Sequence, residues 1–399
     1  MVARRLAATL YCSAVLSTAA AAAAAPPAVA AAAAAAPGLR PWSWDTMQTF
    51  VHCSNHSGPL NGEIVALMAN SSFTVIEKYQ CLECAPNQTG AEEKVLAAAA
   101  QIRAADPTAP IFFYFAVDFT RRWYDLGVWF DAHPELELHD ADGSLTQVES
   151  NDDGDNHWHV FDFTQPAAVA KWAADIAAVV TKGALDGVFI DGYRGTGDTQ
   201  GWSIIAKANA STKAAWVKGA WGETGPALAK AIPNTIRLPN GNSLAHPYVD
   251  RPPGYNAISI EFFNAAQISL LQKLALQETF VEVHSYIGDN PGLFNATLAA
   301  YLVAVGENAY FGAGNTWDTC ESWLVDYQIA QYNKPLGKPL GIANQTVSMA
   351  GETVYTRKFA SGTHVKLTVP EGKKAKPASC VWWSDGSTVG NACSAPAGL

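Results

Sequence analysis

The sequence predicts an α/β protein: a (β/α)8 TIM barrel with a small C-terminal β-domain. Three observations carry this: eight short β-rich runs recur from Arg40 onward, amphipathic stretches of helical period separate most of them, and the helical period is lost from about Gln345. The runs span residues 48–55, 73–80, 111–118 and 187–193, then 234–241, 257–264, 279–286 and 308–314. Eight parallel strands are the number that closes a barrel. Helical stretches fall at 92–105, 167–182, 213–231, 265–277 and 293–305, and in the second of these Lys171, Asp175 and Lys182 mark a polar face. The connections after the first and fifth runs read less clearly as helix. A doubly wound open sheet is the rival, but the SNHSGPLNG that follows the first run lacks the G-x-G-x-x-G phosphate turn. Residues 317–332 read as a last helix. Beyond it, 353–361, 364–370 and 379–386 are strand-like and separated by Gly and Pro turns.

Composition suits this organisation. The chain has 399 residues, 49% hydrophobic and 16% charged, enough for one barrel and an appendage. A formal net charge of −10 leaves no broad basic surface, which argues against nucleic acid or an anionic membrane as partner. Arg4 and Arg5 precede an apolar stretch and a run of small residues with Ala-x-Ala cleavage points, so residues 1–25 read as a signal peptide. Residues 26–39 read as an Ala/Pro-rich linker, 40–344 as the barrel and 345–399 as the β-domain. No later apolar run is long enough to predict a transmembrane span. With Cys12 removed, Cys53, Cys81, Cys84, Cys320, Cys380 and Cys393 form an even set, which predicts disulfides and export. Cys380 and Cys393 are expected to pair locally, and the other four to form two bridges whose partners stay open. Six Asn-x-Ser/Thr sequons, at Asn55, Asn70, Asn87, Asn209, Asn295 and Asn344, fit a glycosylated, secreted protein.

The chemistry is expected at the C-terminal ends of the strands. Period-two alternation there turns Glu77, Tyr114 with Asp118, Asp191, Glu261, and Glu282 with His284 and Tyr286 toward one mouth. Burying that many carboxylates costs several kcal/mol each unless cations or a function compensate. Lys78, Arg194, Arg237 and His284 are placed to do so. Two carboxylates suffice for glycoside hydrolysis, one as acid and one as nucleophile or base, and Asp191 with Glu261 is the expected pair. Glu77 is the substitute. The plainer readings are a helix N-cap for Asp191 and a salt bridge to Arg237 for Glu261. Glu77, Lys78, Tyr114, Asp118, Tyr193, Arg194, Arg237 and His284 complete the mouth as expected substrate-binding groups, with Trp123, Trp129, Trp158 and Tyr193 as sugar-stacking aromatics. Asp152, Asp153 and Asp155 lack EF-hand spacing, and His52 with His56 lacks the H-x-H of metal-dependent barrels, so neither metal nor cofactor is expected.

The segments QTFVHCSNHSG, TVIEKYQ, IFFYFAVDF, HVFDFTQPAAVAKWAADI and LDGVFIDGY, with the later KPLGKPLG, resemble a glycoside-hydrolase-like TIM-barrel family related to the α-galactosidase and polygalactosaminidase barrels. The resemblance spans roughly residues 45 to 365. It implies a carbohydrate substrate, Asp191 as nucleophile and Glu261 as acid/base. The alternative from another class is a catalytically silent carbohydrate-binding barrel, which would lack a close carboxylate pair. A Ser-His-Asp hydrolase is disfavoured because no G-x-S-x-G elbow occurs.

Overall fold

The computed structural model describes residues 39–84, 90–121, 123–146, 158–192, 208–240, 252–287, 290–314, 316, 319–372 and 376–393. The expected signal peptide, Asn87, the Asp152 to Asp155 loop, Tyr193 and Arg194 lie outside the described residues. The fold is mixed α/β with parallel sheets. Eight strands build them: β1 (Phe50–Cys53), β2 (Phe73–Ile76), β3 (Ile111–Ala116), β4 (Gly187–Asp191), β5 (Ile236–Pro239), β6 (Ala257–Ile260), β7 (Phe280–Tyr286) and β8 (Ala309–Gly314). Strands β1 to β5 pair in sequence order in one sheet, and β8, β7 and β6 in another, all parallel. Single parallel bridges join the sheet edges, Thr49 to Phe311 and Asn240 to Ser259. Each expected run contains one of these strands, trimmed most often at its C-terminal end, where the chain leaves the ladder to build loops.

At the opposite, N-terminal ends, Phe73 packs its ring 5.1 Å from Phe50, 4.9 Å from Phe112, 5.1 Å from Phe280 and 5.3 Å from Tyr310. These rings, all buried, pack against one another at the N-terminal ends of the strands. Asp186, just before β4, binds the Arg103 guanidinium at 2.7 Å and accepts from the Ile111 amide at 2.9 Å, a turn role on the stability face.

The helices follow the expected stripes, with instructive breaks. In the helix Pro166–Gly183 the buried set Ala168, Val169, Trp172, Ala173, Ile176, Val179 and Val180 faces the sheet, and Trp172 Nε1 donates to Ala116 O at 2.9 Å. The connection after β1 does hold a helix, α1 (Gly62–Asn70), started by Asn61, which accepts from the Ile64 amide. The helix expected over 213–231 is divided into Ala210–Lys218 and Thr224–Ala231 by a π-turn, Gly219–Glu223. Gly219 causes the division: a Cβ there would lie 1.9 Å from Phe163 O, so the helix is pressed against backbone where only glycine fits. The last expected helix reduces to a short 3-10 turn, Cys320–Trp323, and a helix, Asp326–Tyr332. Among the described residues no helix is long and apolar enough to cross a membrane.

Five antiparallel strands follow: β9 (Asn344–Val347), β10 (Thr353–Lys358), β11 (His364–Val369), β12 (Ala378–Trp382) and β13 (Thr388–Gly390). The exposed outer strands β9 and β13 are the two that the sequence does not announce, because neither alternates apolar with polar. This sheet packs on the helix Pro291–Ala304, which is why that helix is buried on nearly every side from Thr297 to Ala304. Arg357 fixes the contact by donating to the carbonyls of Leu302 and Val305 at 3.1 and 2.6 Å, satisfying the helix C-terminus.

Disulfides join Cys53 to Cys320, Cys81 to Cys84 and Cys380 to Cys393. The first ties the end of β1 to the segment after β8 and closes a loop of 267 residues. Replacing both cysteines by Ser is expected to lower unfolding free energy by about 4 kcal/mol through regained entropy of the unfolded chain, read by urea denaturation.

Candidate active site

Asp191 ends β4, and Glu261 stands one residue past β6. Asp191 Oδ1 accepts from the Gly192 amide at 2.8 Å and from Asn240 Nδ2 at 2.9 Å, while Oδ2 accepts from the Tyr114 hydroxyl at 2.5 Å. Glu261 mirrors this arrangement. Its Oε2 accepts from the same Asn240 Nδ2 at 2.8 Å, and Oε1 from the Tyr286 hydroxyl at 2.6 Å. One amide nitrogen thus donates to both carboxylates. Because the two N–H bonds of an amide diverge by about 120°, the facing oxygens stand about 5 Å apart.

The electrostatics separate the two acids. Burial, then the neighbouring Asp191, raises the Glu261 carboxyl to about 7, against the opposing pull of Asn240, Tyr286 and His52. Burial, then the carboxylate each faces, holds the hydroxyls of Tyr114 and Tyr286 protonated, so both act as donors.

Beneath this pair lies a drier layer. Glu77 Oε1 binds His52 Nε2 at 3.0 Å, and Oε2 binds Lys78 Nζ at 3.0 Å and the Lys78 amide at 2.9 Å. Lys78 also lies 4.0 Å over the Tyr114 ring. Burial lowers Lys78 to about 8, a shift that Glu77 only partly offsets. Burial opposes charge on His52, yet the nearby carboxylates of Glu282 and Glu77 outweigh it and raise the imidazole to about 9. Glu77, His52, Glu282 and His284 are all buried, whereas Asp191, Asn240, Glu261 and Tyr286 are partly exposed. Among these described residues of the two layers, the upper ones are partly exposed and the lower ones are not.

Of the residues expected at the mouth, Asp191, Glu261 and Tyr114 meet in the shared network, Glu77 and Lys78 support it, and His284 lies below it, its ring 4.5 Å from that of Tyr286. Asp118 is buried against Gly192: a Cβ on Gly192 would fall 2.1 Å from Asp118 Oδ1. Arg237 does not belong to the mouth. It points to the other side of β5 and donates to the carbonyls of Ile232, Thr235 and Gly254 at 2.9, 2.9 and 2.7 Å, closing the turn that enters the strand. It is therefore no salt-bridge partner of Glu261. Trp129 is also misplaced as a sugar platform, because it lies on the helix Asp125–Asp131 and lines an outer groove with Glu92 and Lys171. Trp123 and Trp158 are buried around the Arg121 guanidinium, 5.1 and 4.4 Å from it.

Three partners escaped the sequence reading: Asn240, His52 and Phe262. Asn240 follows Leu238 by two residues, so strand alternation could have found it, but Asn-Gly reads first as a turn. Phe262 is 48% exposed beside Glu261, its ring 4.6 Å from Tyr286, and among the described residues is the aromatic best exposed at this site.

Residues 113–363 match the model of a family described as hypothetical glycosyl hydrolase family 15. No curated protein matches the sequence. Among solved structures, the glycoside hydrolase domain of PelA from Pseudomonas aeruginosa is 13% identical, with 67% of this chain and 98% of that one covered, at a TM-score of 0.41. The GH36 α-galactosidase AgaA from Geobacillus stearothermophilus is 11% identical, covering 84% of this chain and 49% of its own, at 0.48. An α-galactosidase from Lactobacillus brevis is 12% identical over 83% and 47%, also at 0.48. The chain thus spans about half the length of these galactosidases.

Gly192 adopts φ +84° beside Asp118. Gly192→Ala is expected to cost about 2–4 kcal/mol of stability, from left-handed strain and the clash together, as measured by denaturant titration.

Proposed function

The chain belongs to hypothetical glycosyl hydrolase family 15, and from that premise we propose that it is a secreted glycoside hydrolase cleaving O-glycosidic bonds in a polysaccharide or glycoconjugate. The single observation that carries this reading is the amide of Asn240 donating to two carboxylates at 2.9 and 2.8 Å. The silent carbohydrate-binding alternative needs no such pair. The edge bridges Thr49 to Phe311 and Asn240 to Ser259 favour the two parallel sheets acting as one closed (β/α)8 barrel, with the pair at its C-terminal mouth. Three disulfides, the sequons and the N-terminal pattern favour export.

In this reading Asp191 is the nucleophile and Glu261 the acid/base, since a spacing of about 5 Å suits a retaining double displacement and leaves too little room for the water of an inverting one. An Asp191 oxygen forms a bond to the anomeric carbon as the glycosidic C–O bond breaks, and the proton of Glu261 passes to the leaving oxygen. Water then adds to the anomeric carbon, giving its proton to the Glu261 carboxylate, and the sugar–Asp191 ester bond breaks. Tyr114 stabilises the Asp191 carboxylate on departure, and Phe262 offers a face to the sugar. Glu77, buried and paired with His52 and Lys78, positions the Lys78 cation instead of reacting.

Asp191→Asn is expected to reduce turnover on an accepted glycan by on the order of 10⁴-fold with the fold intact by circular dichroism, and activity like wild type would refute the assignment. Glu261 must be protonated to act, so kcat/KM should fall as pH rises through about 7. Glu261→Gln should lose about 10²- to 10⁴-fold on ordinary glycosides, retain activity on aryl glycosides with good leaving groups, and lack that alkaline limb on them. An unchanged alkaline limb in the variant would assign the acid elsewhere.

A further inference from the structure

We propose that His52, Glu282 and His284 bind a divalent transition-metal ion of the zinc class, one residue layer beneath Asp191 and Glu261. The inference does not depend on the hydrolase reading. Each of the three offers a donor atom, and these atoms lie within 4.8 Å of one another. Glu282 Oε1 stands 3.6 Å from His52 Nδ1 and 3.8 Å from His284 Nδ1. Those separations are too long for hydrogen bonds. They approach the spacing of about 3.3 Å between ligands on a tetrahedral ion with bonds near 2.0–2.1 Å, and with all three donors inside 4.8 Å a side-chain adjustment of up to about 1.5 Å would seat one.

The surroundings fit a metal site better than a packed core. The three side chains are 2%, 0% and 1% exposed, and among the described residues His52 Nδ1, the nitrogen that faces Glu282 Oε1, has no hydrogen-bond partner, nor do Glu282 Oε2 and His284 Nε2, the other polar atoms of the remaining two. Leaving such atoms unsatisfied costs about 1–3 kcal/mol apiece. A supporting shell is in place: His52 Nε2 binds Glu77 Oε1 at 3.0 Å, and Glu77 Oε2 is held by Lys78. A carboxylate on the far nitrogen is the arrangement that orients a metal-binding imidazole and leaves its other nitrogen free to ligate. Two buried carboxylates, Glu77 and Glu282, flank His52, and Lys78 binds Glu77. Finally, β8 contributes Gly312 opposite His284, where a Cβ would meet Phe50 at 2.6 Å. With no side chain on β8 at that level, the rings of His52 and His284 approach to 5.8 Å from the strands on either side. Two imidazoles and one carboxylate are the ligand set of zinc and its neighbours, not of calcium or magnesium. The ion would tie β1 to β7 across the edge where one bridge, Thr49 to Phe311, joins β1 to β8.

The test uses the full mature chain. After dialysis against zinc and removal of excess, metal analysis should find about one equivalent per chain. Unfolding in urea with a chelator and refolding with disulfides intact should give a protein whose Tm rises by several degrees with zinc and not with magnesium. His284→Gln and Glu282→Gln should each lower zinc content to under about a tenth of an equivalent, and the wild-type measurements stand if either variant fails to fold. Wild-type protein that binds under about a tenth of an equivalent, with one Tm in both conditions, would mean that a protonated His52 fills the space and would overturn the proposal. So would a His284→Gln variant that keeps its full zinc.

Discussion

Two carboxylates about 5 Å apart repel, and the amide of Asn240 is what lets them share the end of the strands. It donates one proton to each, so neither is left facing the other without a hydrogen-bond donor between them. The remaining oxygens are taken by Tyr114 and Tyr286, whose hydroxyls arrive from β3 and β7. Three strands and the residues just past two others must therefore be held in register to within hydrogen-bond tolerance. Asp191 still raises the Glu261 carboxyl, so the same geometry that brings the acids together keeps a proton on one of them near neutral pH.

The rest of the molecule serves that registration. Aromatic rings around Phe73 pack closely at the N-terminal ends of the strands. Between those rings and the acids sits the polar layer of His52, Glu77, Lys78, Glu282 and His284. Its charges are nearly balanced, which makes the layer tolerable at full burial and gives the upper pair a rigid floor. Gly192 lets the chain leave β4 in a left-handed turn that presses on Asp118, so the backbone presents Asp191 without swinging away. At the far side, Arg357 and the antiparallel sheet clamp the helix Pro291–Ala304, which would otherwise expose an apolar face.

Strand content is legible because fully buried parallel strands read as continuous apolar runs, and each expected run contains one of the eight strands. Inward alternation also placed Asp191, Glu261 and Tyr114 on one side correctly. Arg237 was assigned to the mouth because a buried arginine near carboxylates suggests pairing, yet its position is odd against Ile236 and Leu238, and the carbonyls at the end of the preceding helix are its partners. Asn240 was hidden by the opposite bias, since Asn-Gly is a strong turn signal. The Gly219 break was not predictable from helical period, because its cause, contact with Phe163 O, lies more than fifty residues away in sequence. What local pattern misses is thus what distant backbone decides.

The central claim is that Asp191 forms a covalent sugar ester beside a protonated Glu261. It is tested most directly by incubating the protein with a panel of 2-deoxy-2-fluoroglycosyl fluorides, which slow the second displacement, and mapping the labelled peptide by mass spectrometry. The account predicts a single glycosyl adduct on Asp191. An adduct on another carboxylate, or none with a sugar whose ordinary glycosides are turned over, would contradict it.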